Sequence, residues 1–249
     1  MSRSPASTRL ASLRALLFDL DGVLTPTADV HRQAWSRLFG AFLESRGNHQ
    51  AYTDEDYFTY IDGRPRYDGV RAFLASRGIS LPEGHPEDGP ELETVFGLGN
   101  RKNRTFNETL RDQGVTAYPG SVKLLDAAAA SGLMMAVVTS SRNGTAVLAA
   151  AGLSDRFGVV VDGLLSVEHG VAGKPAPDTY LHAAGLLGLP ASACAVVEDA
   201  PSGIDAGRAG QFGLVIGVDR GVGAETLLAH GADLVVEDLA ELVPLLPAR

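Results

Sequence analysis

The sequence ALLFDLDGVLT, residues 15–25, joins an unbroken apolar run to a pair of aspartates. Apolar residues without alternation predict a strand that is buried on both faces of a parallel sheet, and Gly22 predicts where it stops. Asp19 and Asp21 then follow the carboxyl end of the strand, where open α/β sheets bind their ligands. Because a carboxylate near a core is costly unless it is paired or bound to a metal, this pair indicates a cation site.

Strand and helix patterns alternate through the second half of the chain. Apolar runs predict further strands at residues 134–139, 158–161, 194–198, 214–218 and 234–236. Amphipathic spacing predicts helices at residues 121–130, 145–151, 179–187, 203–209 and 225–229, with a last one from Leu239. Strands joined by helices imply right-handed βαβ connections and a parallel sheet.

Residues 29–113 carry a different pattern, in which no run resembles a strand. Helices are predicted in this region at residues 30–46, 54–60, 67–76 and 101–111. Residues 81–90, rich in Pro, Gly and acidic side chains, predict an exposed loop. We therefore expect an α/β fold: a doubly wound, Rossmann-like parallel sheet core formed by residues 1–28 and 114–249, with an α-helical cap domain at residues 29–113 inserted after the first strand.

Composition and charge narrow the class of protein. The net charge of -9 argues against nucleic-acid and membrane partners. The single cysteine, Cys194, excludes an intrachain disulfide framework, and its apolar neighbours favour a core residue over a nucleophile. Residues 1–14 lack the apolar segment of a secretory signal, and no apolar run approaches the roughly 20 residues of a membrane span. We expect a cytoplasmic, monomeric protein.

Polar residues follow other predicted strands as well. The stretch TSSRN, residues 139–143, follows one strand, Glu198 and Asp199 lie at the end of another, and Lys174 stands beside a proline. In a parallel sheet these positions share one edge with the two aspartates of the first strand. Carboxylates with one lysine predict a divalent-cation site, and an all-oxygen donor set favours Mg²⁺. Zinc is disfavoured because the sequence has no Cys/His cluster with ligand spacing.

This donor set suits phosphoryl transfer, which asks mainly for positioning and charge neutralisation. Mg²⁺ and Lys174 would supply positive charge, while hydroxyl and backbone N–H groups would hold the equatorial oxygens. A carboxylate without a base partner can be the nucleophile and form an aspartyl-phosphate. A second carboxylate two residues away can exchange protons with the attacking or leaving oxygen.

Simpler interpretations stand beside these. The two aspartates could form a turn or a Ca²⁺ loop, although the distal Glu of an EF-hand is missing. Lys174 could be a surface lysine, and the hydroxyls of residues 139–141 could cap a helix. The stretch GVDRGVG, residues 217–223, looks like a dinucleotide-binding loop but lacks the G-x-G-x-x-G spacing.

Four motifs in sequence order resemble those of the haloacid dehalogenase superfamily: FDLDGV at residues 18–23, Thr139-Ser140, Lys174-Pro175 and Glu198-Asp199. The resemblance implies that Asp19 accepts the phosphoryl group and that Asp21 is the general acid and base. It also implies that Thr139 contacts the phosphoryl group and that Lys174 balances its charge.

The same resemblance implies a Mg²⁺ site. It assigns Asp19, the backbone carbonyl of Asp21 and Asp199 as ligands, with Glu198 contributing nearby. Dehalogenation is disfavoured, because that chemistry does not need this metal set. A non-catalytic sensor of phosphorylated ligands is the binding-module alternative, and it would be expected to lack Asp19, Asp21 or Lys174.

Further stretches resemble the β-phosphoglucomutase-like subfamily: TADVHRQAW at residues 27–35, GRPR at 63–66, RKN at 101–103, SRN at 141–143 and EDAPSGI at 198–204. The resemblance implies that Arg66, Ser141 and Asn143 bind the phosphate that is not being transferred. Ser140 and Arg142, from the same stretch as the last two, are further candidate substrate-binding residues.

The resemblance also implies that Lys102 and His31 help to set the closed cap and the position of the sugar. Arg66 could instead be solvated at a helix start, Lys102 could lie on an exposed face, and His31 could be structural. Trp35 is expected to pack within the cap.

The implied activity is the Mg²⁺-dependent interconversion of β-glucose 1-phosphate and glucose 6-phosphate through glucose 1,6-bisphosphate, so the expected partners are small phosphorylated sugars. A mutase needs a second phosphate site and must keep water from the aspartyl-phosphate. A hydrolase of small sugar phosphates with the same metal-binding residues is the alternative.

Overall fold

The computed structural model of the protein describes residues 9, 10, 12–47 and 50–246. The strands in these residues are β1 (Ala15–Phe18), β2 (Met134–Val138), β3 (Val159–Val161), β4 (Cys194–Glu198), β5 (Leu214–Val218) and β6 (Leu234–Val236). The α-helices are α1 (Thr27–Ser45), α2 (Asp54–Asp56), α3 (Arg66–Ser76), α4 (Val95–Gln113), α5 (Pro119–Ala130), α6 (Gly144–Ala150), α7 (Gly163–Glu168), α8 (Asp178–Leu186), α9 (Pro201–Ala209) and α10 (Ala224–Ala229). A π-helical segment at Tyr57–Ile61 continues α2, and 3₁₀ turns lie at Ser154–Arg156, Ala191–Ala193 and Leu239–Leu245.

The chain forms two compact units. The sheet unit comprises Met1–Pro26 and Val115–Arg249, and the helical unit is the continuous stretch Thr27–Gly114. The chain therefore leaves the sheet unit soon after β1 and returns to it just before α5.

All strands of the sheet are parallel, in the order β3-β2-β1-β4-β5-β6. β1 lies at the centre, where Phe18 is in register with Val137 of β2 and Val197 of β4. The strand order changes direction at β1, and ligands bind at such points in open α/β sheets. The predicted Rossmann-like core is confirmed.

Helices cover both faces of the sheet, which explains why its strands are apolar without alternation. Every residue of β1, β4 and β5 is buried, as expected for a covered parallel sheet. Cys194, the first residue of β4, is buried completely, and burial raises the pKa of its thiol to about 11. The prediction that Cys194 is a core residue is confirmed.

The helical unit has no strand among its described residues and carries an apolar core of its own. The Trp35 ring stacks on Phe39 with centroids 5.3 Å apart, and the Phe73 ring lies 4.0 Å from that of Phe39. The expectation that Trp35 packs inside this region is confirmed. Among the described residues, no helix combines the length and hydrophobicity that a membrane span requires.

Helix α4 begins at Val95, whereas the sequence pattern predicted a start at residue 101. Thr94 caps the helix, because its side-chain oxygen accepts a hydrogen bond from the Gly97 N–H at 2.9 Å. The glycines in the first turns lower the helix propensity, and for this reason the sequence pattern placed the start of the helix too late. Gly99 is needed there, since a Cβ at this position would lie 2.6 Å from the Tyr67 ring.

The predicted loop at residues 81–90 contains neither helix nor strand. Helix α4 holds it, because Asn100 Nδ2 donates hydrogen bonds to the carbonyls of Pro86 at 3.0 Å and Asp88 at 2.9 Å. Thr94 Oγ1 donates a further hydrogen bond to the Asp88 carboxylate at 2.5 Å. The loop is therefore tied to the helix although much of it is exposed.

Candidate active site

The turn after β1 carries both aspartates of the first motif. The Asp19 N–H donates to the Val197 carbonyl at 2.9 Å, which extends the ladder between β1 and β4. The chain then turns back on itself, because the Thr25 N–H donates to the Leu20 carbonyl at 3.1 Å and the Gly22 N–H donates to the Thr25 carbonyl at 2.8 Å. Gly22 has a φ of 85°, which a glycine adopts without strain.

Lys174 reaches this turn with a completely buried side chain. Its Nζ donates to Asp19 Oδ1 at 2.5 Å, to Glu198 Oε1 at 2.5 Å and to the Val138 carbonyl at 3.1 Å. A buried ammonium group is tolerated only with such partners. The interpretation of Lys174 as a surface lysine is therefore wrong.

Glu198 is fixed from several sides at the end of β4. Tyr180 Oη donates to its Oε1 at 3.1 Å, and the Ala200 N–H donates to its Oε2 at 3.0 Å. Helix α9 approaches so closely that a Cβ on Gly203 would lie 1.8 Å from Glu198 Oε1. A carboxylate has about four acceptor positions, so Glu198 keeps capacity for one further ligand beyond these donors and Lys174.

Burial governs the ionisation of this cluster. It raises the pKa of the Asp19 carboxyl well above its usual value; Lys174 opposes the shift, and Glu198 and Asp21 add to it. Burial acts to lower the pKa of Lys174, but the nearby carboxylates outweigh it and raise that pKa well above its usual value. The lysine therefore stays charged, whereas Asp19 needs more positive charge nearby to be fully ionised.

Three buried carboxylates meet beside Lys174. One oxygen from each of Asp19, Glu198 and Asp199 lies within 4.8 Å of the other two. The group offers oxygen donors, which hard divalent cations such as Mg²⁺ prefer. These residues fit such a cation, which would also supply the positive charge that Asp19 needs. The role of the Asp21 backbone carbonyl as a metal ligand stays a prediction.

The hydroxyls after β2 form two successive turns next to Asp21. Thr139 Oγ1 donates to Asp21 Oδ2 over 3.4 Å and accepts from the Ser141 N–H at 3.0 Å. The Ser141 hydroxyl accepts from the Asn143 N–H at 3.2 Å. These turns therefore bring hydroxyl groups to the edge of the sheet that carries the aspartates. Two more of the predicted substrate-binding residues are half-buried in the same turns: Ser140 and Arg142.

Lys102 and His31 lie together inside the helical unit. Lys102 Nζ is hydrogen-bonded to His31 Nδ1 and lies 4.9 Å from the centroid of the Phe106 ring. The His31 ring stacks on Phe106 with centroids 4.0 Å apart. Lys102 is only 3% exposed, so its placement on an exposed face is wrong.

Arg66 begins α3 and is held by α4. Its Nη2 donates to Asn103 Oδ1 at 2.7 Å, and the neighbouring Tyr67 Oη donates to Asn100 Oδ1 at 2.8 Å. Arg66 is half-buried, and one face of its guanidinium group lies 5.7 Å from the centroid of the Tyr67 ring. The guanidinium is thus oriented by a neighbouring helix rather than left free to rotate.

Two residues of these clusters were not identified from the sequence. Tyr180 supports Glu198 from α8, and Asn103 orients Arg66 from α4. Asn103 follows Lys102 directly, so its place in the RKN motif was the one signal that could have pointed to it. Tyr180 carries no comparable signal, because an aromatic residue in a helix is ordinarily packed in a core.

Comparison with known proteins identifies relatives that match most of the chain. A sequence model of the haloacid dehalogenase-like hydrolase family matches residues 13–211. Two proteins described as β-phosphoglucomutase, from Mycobacterium bovis and Mycobacterium tuberculosis, are each 50% identical over 240 residues, which is 93% of this chain and 92% of theirs. A crystal structure of β-phosphoglucomutase from Clostridium difficile is similar with a TM-score of 0.74 at 25% identity, covering 92% of this chain and 93% of that one.

Proposed function

The chain belongs to the haloacid dehalogenase-like hydrolase family and is an enzyme of the phosphotransferase or phosphatase type, and from this premise we propose that it is a Mg²⁺-dependent mutase that interconverts β-glucose 1-phosphate and glucose 6-phosphate. The observation that carries the phosphotransfer chemistry is the buried ammonium of Lys174 between the carboxylates of Asp19 and Glu198. The choice of a mutase is supported by relatives of that name at 50% identity.

Asp19 and Asp21 divide the reaction between them. The phosphorylated carboxylate of Asp19 gives its phosphoryl group to the C6 hydroxyl of β-glucose 1-phosphate, and the hydroxyl proton passes to Asp21. The resulting glucose 1,6-bisphosphate turns round and returns its C1 phosphoryl group to Asp19. Asp21 then gives the proton to the departing C1 oxygen, and glucose 6-phosphate leaves.

The surrounding groups stabilise the negative charge on the phosphoryl group while it is being transferred. Lys174 provides a fixed ammonium beside Asp19, and Thr139 provides a hydroxyl beside the same edge. A divalent cation held by Asp19 and Asp199, with Glu198 nearby, would neutralise further charge on the transferring oxygens. Its identification as Mg²⁺ is part of the proposal and follows from the all-oxygen donor set.

A mutase must also bind the phosphate that is not transferred. We assign this role to Arg66 in the helical unit, since its planar fork of donors suits a phosphate and Asn103 already orients it. In the sheet unit we assign a supporting role to the turns at residues 139–143. Lys102 and His31 are proposed to position the sugar, and the helical unit is proposed to act as the cap domain.

One assay tests the proposed reaction. β-Glucose 1-phosphate, Mg²⁺ and a trace of glucose 1,6-bisphosphate are supplied, and glucose 6-phosphate and free phosphate are followed together. We expect glucose 6-phosphate to accumulate with little free phosphate. Dominant free phosphate would reject the mutase and support the alternative, a sugar-phosphate phosphatase, which the hydrolase description of the family also allows.

The nucleophile is tested in the same assay. Asp19→Ala should abolish the formation of both products, because no other group is proposed to carry the phosphoryl group. Asp155→Ala, at an exposed position in a 3₁₀ turn, is the matched control and should behave as the wild type does. Substantial activity in Asp19→Ala would remove Asp19 as the nucleophile.

A further inference from the structure

The stretch at residues 217–223, which lacks the G-x-G-x-x-G spacing of a dinucleotide-binding loop, places Arg220 against the turn that follows β1. Arg220 Nε donates to the Gly22 carbonyl at 2.8 Å, and its Nη1 donates to the Glu237 carbonyl at 2.8 Å. Its guanidinium carbon lies 4.1 Å from the centroid of the Tyr118 ring. Three distant parts of the sheet unit therefore meet on one side chain.

Successive carbonyls of the same turn are held from outside it. The Gly22 carbonyl accepts the hydrogen bond from Arg220 Nε. The Val23 carbonyl accepts a hydrogen bond from Ser121 Oγ at 2.7 Å, and the Leu24 carbonyl accepts one from the Tyr118 N–H at 3.0 Å. Because Arg220 also covers the Tyr118 ring, it contacts both the turn and one of the elements that anchor it.

We propose that Arg220 is a positioning residue for Asp21. The Gly22 carbonyl belongs to the residue directly after Asp21, so an arginine bonded to it restricts the backbone that carries the Asp21 carboxylate. Proton transfer is sensitive to such placement, since an error of about 1 Å can cost about 100-fold in rate. The inference rests on the proposed function, in which Asp21 moves protons to and from the sugar oxygens.

Arginine is suited to this position by its shape. The planar guanidinium group donates along two directions at once and stacks on an aromatic ring with its face. Arg220 uses all three capacities, with one carbonyl on each of two nitrogens and Tyr118 on its face. A lysine has a single charged nitrogen and cannot reproduce this arrangement, which makes Arg220→Lys an informative conservative variant.

Kinetics test the catalytic part of the proposal. Arg220→Met keeps an unbranched stem and removes both donors, and we expect kcat for β-glucose 1-phosphate to fall about tenfold or more. KM should change less than about twofold, since Arg220 is not proposed to touch the substrate. Arg220→Lys should give an intermediate kcat. The control is Arg156→Met, which removes an exposed arginine paired with Asp126 and should keep the wild-type kcat.

Hydrogen exchange tests the structural part without requiring activity. The N–H groups of Gly22, Leu24 and Thr25 are bonded within the turn. We expect faster exchange in Arg220→Met for a peptide covering residues 19–26 and unchanged exchange for β2. The increase should be smaller in Arg220→Lys.

Three results would overturn the proposal: a kcat within about twofold of wild type in Arg220→Met, unchanged exchange in the turn, or a general rise in exchange that includes β2. A general rise in exchange would mean that Arg220 stabilises the whole sheet rather than the turn after β1. If the wild-type enzyme had neither mutase nor phosphatase activity, the proposed function would fail on its own, and exchange alone would then decide whether Arg220 holds the turn.

Discussion

Replacing Lys174 by Met tests whether the ammonium charge of Lys174 stabilises the buried carboxylates around it. The change keeps most of the apolar stem and deletes the ammonium group that bonds to Asp19 and Glu198, each at 2.5 Å. The side chains of Lys174, Asp19 and Glu198 are 0%, 9% and 1% exposed, so water cannot replace the lost charge. Breaking a buried ion pair in this way costs about 3–5 kcal/mol. That is a large part of the roughly 5–15 kcal/mol that stabilises a typical domain.

The loss should depend on pH in a defined direction. Burial raises the pKa of Asp19, and Lys174 opposes that shift in the wild type. In Lys174→Met the folded-state pKa of Asp19 rises further above its unfolded value of about 4. A group with a raised folded-state pKa contributes stability below the unfolded pKa and loses it as the pH rises through the folded pKa. The variant should therefore be closest to the wild type in acid.

Urea unfolding at about pH 5 and about pH 7.5, without divalent cations, measures both effects. We expect the difference in free energy of unfolding between variant and wild type to be larger at the higher pH. The matched control is Lys123→Met at an exposed position on α5, which should change stability by no more than about 0.5 kcal/mol. A loss below about 1 kcal/mol at the higher pH, or the same loss at both pH values, would refute the account of a desolvated ion cluster.

Other variants probe separate parts of the molecule. Gly203→Ala puts a methyl group where the Glu198 carboxylate lies, so we expect a loss of about 1–3 kcal/mol in urea unfolding together with a lower kcat; wild-type values for both would contradict the close approach. With its pKa near 11, Cys194 is only about 0.1% thiolate at about pH 8. A thiol reagent should therefore label the native protein slowly and the urea-unfolded protein quickly, and rapid native labelling would contradict the burial. Arg66→Ala should lower mutase turnover about 10-fold or more but leave hydrolysis of acetyl phosphate, which has no second phosphate, much less affected. Equal losses would mean that Arg66 binds no second phosphate.

The strands of the sheet could be predicted because each one is evident from the residues of its own short stretch of sequence. Strands buried on both faces need apolar side chains at every position, so β1, β4 and β5 stand out as short runs in the sequence. The start of α4 could not be predicted in the same way. There the cap at Thr94 and the close packing of Gly99 on Tyr67 outweigh the low helix propensity of glycine.

The residues of the candidate site likewise include some whose positions could be predicted from the sequence and some whose positions could not. The rule that parallel strands present their carboxyl ends at one edge was enough to predict that Asp19 and Glu198 would meet. It does not account for Lys174, which was placed with the strand ends but lies in a turn between α7 and α8. The contacts of Arg66 with Asn103 and of Arg220 with the turn after β1 join residues 37 and 198 positions apart. No local pattern records such pairings, because they depend on how whole elements pack.

The central position of β1 has a consequence for synthesis of the protein. This strand is made first, yet the contact between Asp19 and Lys174 spans 155 residues, and β4 follows still later. The helical unit is a continuous stretch with its own apolar core, so it can be completed on the ribosome while β1 still lacks both neighbouring strands. The carboxylate cluster arises only once β4 has been made. A nascent chain arrested before β4 should therefore retain the core of the helical unit and lack any site for the cation.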